Sequence, residues 1–506
     1  MKIFDSATHE VRDFEPVTPG KVGLYLCGPT VQGAPHLGHL RAALNFDVLV
    51  RWLRRQGYAV TYVRNVTDID DKILTKSAAA GVPWWELAAH FEREFDFAYR
   101  ALNTVPPTVT PHATGHIPQQ IALIERLLER GHAYSDTNGN VYFSVTSLPD
   151  YGALTNQPVS ELASTEDESQ IDTATEAGKR DPRDFALWKA AKDDEPTDAA
   201  WDAPWGRGRP GWHLECSAMS QAYLGDTFDI HGGGLDLRFP HHENEMAQSH
   251  GAGWGFARYW MHNAWLTLKG EKMSKSVGNV VGVRRLLEDW DPAVVRMSVV
   301  TTHYRTNLEY SEDSLKQAAL LWDKFTSFLQ QVPGPAPAGA VVPEVCNIYG
   351  DVEPDLARQR ELAAVELPDD FVAALDDDLN VPGALPALHR TLKTGKAALA
   401  SGDTAGAQQA ARQLRAMLDV FGLDPDDPAW ATPATATETP GAAPDTTEAP
   451  NETLEALVTA LLQQRADAKA QRDWDRADAI RDLLQAHVAP VVDTPAGAQC
   501  GPVTFG

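Results

Sequence analysis

Apolar and polar residues along the first hundred positions follow two alternating rhythms. Residues 22–28 (VGLYLCG) are a short apolar run ending in Gly-Pro, which predicts a strand. From 37 to 56 the spacing turns helical, with Leu40, Leu44, Val48, Leu49 and Leu53 on one face and Gly57 as a stop. Residues 59–67 (AVTYVRNVT) alternate and are rich in β-formers, predicting a second strand, and 71–80 and 84–102 read as helices. Strand, helix, strand, helix predicts a parallel α/β sheet of the Rossmann type.

The rhythm breaks between 104 and 205, which hold one helical piece (117–130), short strand candidates such as NVYFSV and a polar acidic stretch at 160–176. It resumes with FDIHGGG (228–234) and WMHNAWLTL (260–268). The predicted fold is therefore an α/β Rossmann-type catalytic domain in two halves, 1–103 and 206–270, around an inserted α+β domain at 104–205, followed by an all-helical C-terminal region. Within that region, 271–331 holds a Lys/Ser loop and helices, 332–345 is a Pro/Ala linker, and 346–423 is a helical bundle. Residues 424–452, dense in Pro, Ala and Thr, predict a disordered linker before a small domain at 453–506. No internal repeat is visible.

Composition narrows the class. The 506 residues are 43% hydrophobic and 23% charged, as expected of a globular chain of several units, and the formal net charge is −26. That charge argues against nucleic acid binding over the whole surface but leaves room for a local basic path. The four cysteines, Cys27, Cys216, Cys346 and Cys500, are too few and too dispersed for a disulfide framework, which points to a reducing, cytoplasmic setting with thiols available to metal. No targeting peptide and no apolar run long enough for a bilayer is expected.

Two motifs carry phosphate chemistry. His36-Leu37-Gly38-His39 follows the first strand and opens the first helix, where parallel sheets bind nucleotides. Imidazoles there can donate to phosphates, and Gly38, lacking a Cβ, would let adenine approach. Alone, HxGH is a weak signal. Lys272-Met273-Ser274-Lys275-Ser276 strengthens it, since a cationic loop after a strand can wrap triphosphate oxygens and stabilise departing pyrophosphate. The pair resembles the signature motifs of class I aminoacyl-tRNA synthetases. The resemblance implies that His36, His39, Lys272 and Lys275 are catalytic, with His36, Gly38, His39 and Lys275 at ATP and Mg2+ accompanying it.

A metal constellation is also legible. If 241–245 (HHENE) is helical, His241 and Glu245 share a face, with His242 turned about 100° away. Together with Cys27 and Cys216 they make a reasonable zinc set, although a buried Cys is usually a small hydrophobe and HHENE often a polar helix face. Cys346 and Cys500 are read as ordinary thiols.

LCGPTVQGAPHLGH, YVRNVTDIDDKI, GWHLECSAM, FDIHGGGLDLRFPHHENEMAQS and EKMSKSVGN together resemble one family of that class, the cysteinyl-tRNA synthetases, over nearly the whole chain. The resemblance implies Cys27, Cys216, His241 and Glu245 as ligands of one zinc ion. Thr67, Trp212 and His213 would line the amino-acid pocket and Asp236 would lie near the adenylate. It implies L-cysteine, ATP and tRNA(Cys) as substrates, a monomer, a stem-contact role for 271–331 and an anticodon-binding role for 453–506. Arg472, Trp474 and Asp478 there are candidate tRNA contacts, although their spacing equally suits an amphipathic helix with ion pairs. The chain's ending, TPAGAQCGPVTFG, departs from the aromatic and basic ending of the family pattern. Because sulfur and oxygen differ by one atom, selection by a zinc-bound thiolate would separate cysteine from serine where shape could not. A rival reading is a cysteine:amino-sugar-inositol ligase with the same motifs, against which the helical part after the 332–345 linker argues.

Overall fold

The computed structural model describes residues 1–157, 177–268, 281–332, 358 and 361–431, and strand backbone at 271–272, 491–494 and 497–500. The chain divides into two units, Met1–Ala434 and Thr435–Gly506.

The first unit opens with an antiparallel hairpin, β1 (Lys2–Asp5) and β2 (Glu10–Asp13). Next come β3 (Lys21–Leu26), α1 (Leu37–Arg55), β4 (Ala59–Arg64), α2 (Asp71–Ala80) and α3 (Trp84–Ala101). The inserted part holds α4 (Ile117–Glu129) and a four-stranded antiparallel sheet of β5 (Ala133–Ser135), β6 (Val141–Phe143), β7 (Phe185–Ala190) and β8 (Gly208–Pro210). The catalytic half resumes with α5 (Trp212–Leu224), β9 (Phe228–Gly234), α6 (Glu243–Gly251) and β10 (Ala257–Asn263). These strands complete a parallel sheet in the order β10-β9-β3-β4.

Both faces of that sheet are buried, which is why its strands are nearly continuous apolar runs. Leu24 and Leu26 of β3 face the core shared with α1, while Tyr25 between them packs with Cys216 and Met219 of α5. The inserted domain is shifted relative to its sequence boundaries. Residues 108–112 run beside β4, with parallel bridges Val63 to Val109 and Val66 to His112, so they extend the main sheet. Prolines at 106, 107 and 111 hid that strand from the periodicity. At the other end β8 carries the insertion's sheet past 205, to Pro210.

Beyond β10, β11 (Leu266–Leu268), β12 (Glu271–Lys272) and β13 (Leu308–Glu309) form a small sheet. Helices α7 (Val283–Asp289), α8 (Pro292–Val300), α9 (Glu312–Gln331), α10 (Asp369–Asp376), α11 (Val381–Ser401) and α12 (Thr404–Val420) follow. The linker expected from 424 begins later: Asp424 is fully buried and takes guanidinium bonds from Arg358 and Arg415, and Asp427 is buried beside it. Proline and alanine counts could not show that acidic anchor. The second unit contains an antiparallel hairpin, β14 (Val491–Thr494) and β15 (Gly497–Cys500), in a region read from sequence as helical. The acidic stretch 160–176, the linker 332–345 and Cys346 lie outside the described residues. No helix among the described residues is long and apolar enough to cross a membrane.

Asp47 ties the helical part to the sheet. Its carboxylate accepts from Arg296 of α8, from Arg51 Nε at 2.9 Å and from the Val105 N–H. Arg296 also donates to Phe421 O at 2.6 Å, Leu102 O at 2.8 Å and Asn103 O at 2.9 Å. Burial alone would raise the Asp47 carboxyl, but the two guanidinia and the amide outweigh it and hold it below the usual range. Asp47→Asn strands Arg296 without its charge partner. It is expected to lower unfolding free energy by about 3 kcal/mol in urea denaturation, and a loss no larger than that of a surface control would contradict the hub.

Candidate active site and metal centre

A cavity of about 420 Å³ opens at the carboxyl end of the sheet. Its lining includes Cys27 at the tip of β3, His36, Gly38 and His39 at the start of α1, Trp212, and Asp236 after β9. This is the crevice where parallel sheets hold nucleotides.

HLGH is built into the helix start. His36 is the N-cap of α1 in an extended conformation, and its backbone N–H donates to His39 Nδ1 at 3.3 Å. That bond puts the proton of the neutral His39 ring on Nε2. The two rings stack with centroids 3.6 Å apart. A Cβ at Gly38 would press on the His36 ring at 3.0 Å. A side chain at position 38 would therefore have to push the His36 ring aside by a few tenths of an ångström, whatever the glycine does for adenine.

The second motif is anchored to the first. β12, which ends at Lys272, pairs with β11, and on the far side of the loop Gly282 bridges His36 while Leu37 N–H donates to Val281 O at 3.1 Å. The Lys272 side chain and residues 273–280, Lys275 among them, lie outside the described residues, as do Arg472, Trp474 and Asp478.

At the other end of the cavity the four expected metal ligands meet. Cys27, Cys216, His241 and Glu245 place donor atoms within 4.8 Å of one another. Cys27 Sγ lies 3.7 Å from Cys216 Sγ and 3.4 Å from Glu245 Oε1, and His241 Nε2 lies 3.0 Å from the same oxygen. A tetrahedron with zinc bonds of about 2.0 to 2.3 Å has edges of about 3.3 to 3.8 Å. The two distances from Cys27 fit that ion, the 3.0 Å between His241 and Glu245 is shorter than such an edge, and the sulfurs are far outside a disulfide's bond length of about 2.05 Å. His213 of α5 shares a proton with His241, Nδ1 to Nδ1, at 2.9 Å, which turns His241 Nε2 toward the cluster. Trp212 stacks on the other side of His241 at 4.1 Å.

Burial dominates the electrostatics. It pushes the Cys27 and Cys216 thiols up and holds His213, His241 and His262 each down at about 3. These imidazoles are neutral, as ligands and hydrogen-bond partners of ligands must be.

Thr67 is held by hydrogen bonds of its own. It is buried behind the cavity, outside the lining, and its hydroxyl donates to Glu215 Oε2 at 2.8 Å. Its backbone braces the loop after β3, taking Val31 N–H at 3.1 Å and donating to Pro29 O at 3.1 Å. His213 likewise acts behind His241, while Trp212 does line the cavity.

Sequence reasoning missed His231, His242 and His262. His231 Nε2 bonds Glu245 Oε2 at 2.7 Å, and His242 Nε2 lies 3.2 Å from Cys27 Sγ with its Nδ1 2.8 Å from His262 Nε2. His231 and His242 complete an alternative donor set with Cys27 and Glu245, though its spacings are more ragged, from 2.7 to 4.0 Å. All of 241–245 is buried: Glu243 accepts from Gly152 and Thr155, and Asn244 from Tyr151. A histidine inside the apolar strand FDIHGGG was the available signal, since a buried strand holds a polar ring only for a partner.

The profile of the tRNA synthetases class I (C) catalytic domain matches residues 13–320, and the DALR domain profile matches 370–423. A cysteine–tRNA ligase of Beutenbergia cavernae is 51% identical over 99% of this chain and 98% of its own. One of Cutibacterium acnes is 48% identical over 98% of this chain and 96% of its own. The chain belongs to the cysteine–tRNA ligase family of class I synthetases. Among solved structures, Mycobacterium tuberculosis methionyl-tRNA synthetase in complex with methionyl-adenylate aligns with a TM-score of 0.53 at 17% identity, over 80% of this chain and 90% of that one. That likeness shows the shared synthetase fold and nothing finer.

The neutral histidines set a pH dependence that members of this family can be tested for. A histidine near 6.5 in the unfolded chain and near 3 when folded binds its proton only on unfolding between those values. Stability is therefore unaffected above about pH 6.5 and falls progressively below it. Urea denaturation at about pH 7.5 and about pH 5 should show that loss, with a shallower slope in His262→Asn; equal slopes would remove the histidines as its cause.

Proposed function

We propose that the chain activates L-cysteine with ATP to cysteinyl-adenylate and pyrophosphate, then transfers cysteine to the 3′ end of tRNA(Cys). One observation carries this reading: Cys27 and the HLGH histidines line the same cavity, so a thiol-binding centre and a phosphate-binding helix start address one bound substrate pair.

Zinc held by Cys27, Cys216, His241 and Glu245 would supply a soft open coordination position that favours a thiolate sulfur over a hydroxyl oxygen. The rest is done by the chain's own groups. Trp212 closes the wall beside His241 and limits the side chain accommodated. With the amino acid held at that end, its carboxylate reaches toward His36 and His39, where the α-phosphate would sit. His39, with its proton on Nε2, can donate to phosphoryl oxygens as charge builds on them. Asp236 lies on the cavity wall after β9, suited to contact the nucleoside part of the adenylate. Lys272 and Lys275 would close over the phosphates from the loop tethered to His36 through Gly282. Mg2+ accompanying ATP, a monomeric state and a cytoplasmic location belong to the same reading.

The helical region supports tRNA as acceptor. The DALR match and the bundle of α10 to α12 give this chain a part that small-molecule ligation does not require, which disfavours the amino-sugar ligase. Stem contact by 271–331 and anticodon contact by 453–506, including Arg472, Trp474 and Asp478, complete the proposal.

Cysteine-dependent exchange of pyrophosphate into ATP, read together with bound zinc, tests it. Cys216→Ala is expected to lose most of its zinc and at least about 10²-fold in preference for cysteine over serine. Full zinc occupancy with an unchanged preference would refute zinc–thiolate selection. Labelled cysteine offered with total tRNA and with an amino sugar decides the acceptor, transfer to the sugar alone overturning the tRNA assignment.

A further inference from the structure

Four arginines are buried among the described residues, Arg41, Arg64, Arg209 and Arg296, and three of them donate to several close oxygen partners each, although Arg41 Nε has none. Arg296 has Asp47 and three carbonyls. Arg209 has Asp71 and Glu195. Arg41 donates to the carbonyls of Trp265, His303, Tyr304 and Thr306.

Arg64, the last residue of β4, is different. It is 6% exposed, and its guanidinium lies over the ring of Tyr99 of α3 at 3.6 Å from the centroid. Among the described residues its one side-chain hydrogen bond is a long one, 3.5 Å, to the Tyr62 hydroxyl. Among the described residues no carboxylate oxygen comes within ion-pair distance of 4.0 Å, Asp96 acting on it only from farther away. A buried guanidinium held by two neutral rings has most of its five donors unspent, and desolvating such a charge is costly without an anion. Those donors are not sealed in, because Arg64 and Tyr99 both line the active-site cavity.

The placement identifies the anion. Strand alternation puts Tyr62 and Arg64 on the α1 face of the sheet, whereas Val63 between them packs with Tyr25 and Cys216 on the opposite face. Arg64 thus sits away from the cluster proposed to hold the amino acid. It sits close to the phosphate-binding helix start instead: His39 contacts Phe95 at 5.3 Å, and Phe95 contacts Tyr99 at 6.0 Å. Gln32 and Lys72 line the same end of the cavity, and Gln32 is held by Lys76 Nζ at 2.9 Å. Asp70 is the acidic group on that side, and its carboxylate caps α2 at Lys72 N.

We propose that Arg64 is a phosphate-binding residue that grips the terminal phosphoryl groups of ATP, and hence the departing pyrophosphate, from the side of the cavity opposite the amino acid. The fork-shaped guanidinium matches two phosphoryl oxygens at once, and Tyr99 keeps it in place before the nucleotide arrives. The inference rests on the ATP reading above.

The test uses zinc-loaded full-length protein with pyrophosphate as the probe. In Arg64→Gln the pyrophosphate and ATP concentrations needed for half-maximal exchange should rise about 10- to 100-fold, with partial recovery in Arg64→Lys, while the KM for cysteine, zinc content and melting temperature stay as in wild type. An unchanged response to ATP and pyrophosphate overturns the inference, whether the KM for cysteine rises, as a carboxylate-binding arginine would require, or only that for tRNA rises. Wild-type protein gives a readout independent of variant folding: pyrophosphate alone should protect Arg64 from phenylglyoxal, located by mass spectrometry, and cysteine alone should not. Protection by cysteine and not by pyrophosphate refutes the assignment. Protection by pyrophosphate in a chain that shows no cysteine-dependent exchange would leave the anion site standing and defeat the ATP reading instead.

Discussion

Two thiols and a carboxylate packed within a few ångströms of one another, out of water, cannot all carry charge unless a cation stands among them. Cys27, Cys216 and Glu245 are so placed, with Cys216 and Glu245 buried, and burial drives both thiols toward their neutral forms in the absence of such an ion. Much of the surrounding architecture follows from assembling these groups. Cys27 comes from the tip of β3, Cys216 from α5 on one face of the sheet, Glu245 from α6, and His241 from the short turn just before it. Three separate chain segments must therefore be fixed to a few tenths of an ångström. The neighbouring imidazoles do that work: His213 orients His241, and His231 takes the second oxygen of Glu245.

The inserted domain contributes to the same end from outside. Glu243 accepts the amides of Gly152 and Thr155 and the Thr155 hydroxyl, and Asn244 accepts from Tyr151. α6 is thus pinned from the insertion side by residues adjacent to its ligands. A second constraint runs through Asp47, which joins α1 to α8 and, through Arg296, to the end of α12. Because α1 begins with the HLGH histidines, the bundle beyond residue 370 is rigidly coupled to the helix that presents them.

Legibility from sequence varied with the kind of signal. The sheet, its crossover helices and the end of β3 were readable because both-face burial writes long apolar runs and because Gly and Pro mark the breaks. The strand at 108–112 was not, since its pairing depends on the edge of β4 and its prolines mimic a loop. The i,i+4 relation of His241 and Glu245 followed from helical geometry. The roles of His231 and His242 did not: each is set by a contact across the sheet, and a Cβ at Gly233 would meet His242 at 2.8 Å, so the glycine run is itself shaped by a ring no local pattern announces. Thr67 was assigned to the pocket by resemblance, whereas its hydroxyl is committed to Glu215, a distinction of about one residue's depth that sequence does not encode.

The two signature motifs can now be treated as parts of one device. The backbone bridge between His36 and Gly282, with Leu37 N–H on Val281 O, means that the far end of the KMSKS loop is stitched to the N-cap of α1. Its near end is held by β12 against β11, whose neighbour Trp265 takes a donor from Arg41, also on α1. Both ends of the loop are thus referenced to the same helix. Any displacement of α1 would move the HLGH histidines, Asp47 and the segments at Gly282 and Trp265 together, while the candidate metal cluster rests on β3, α5, α6 and the turn before α6. The rigid element shared by the two motifs, more than either motif's residues, sets where the flanks of the second motif lie relative to the candidate metal cluster.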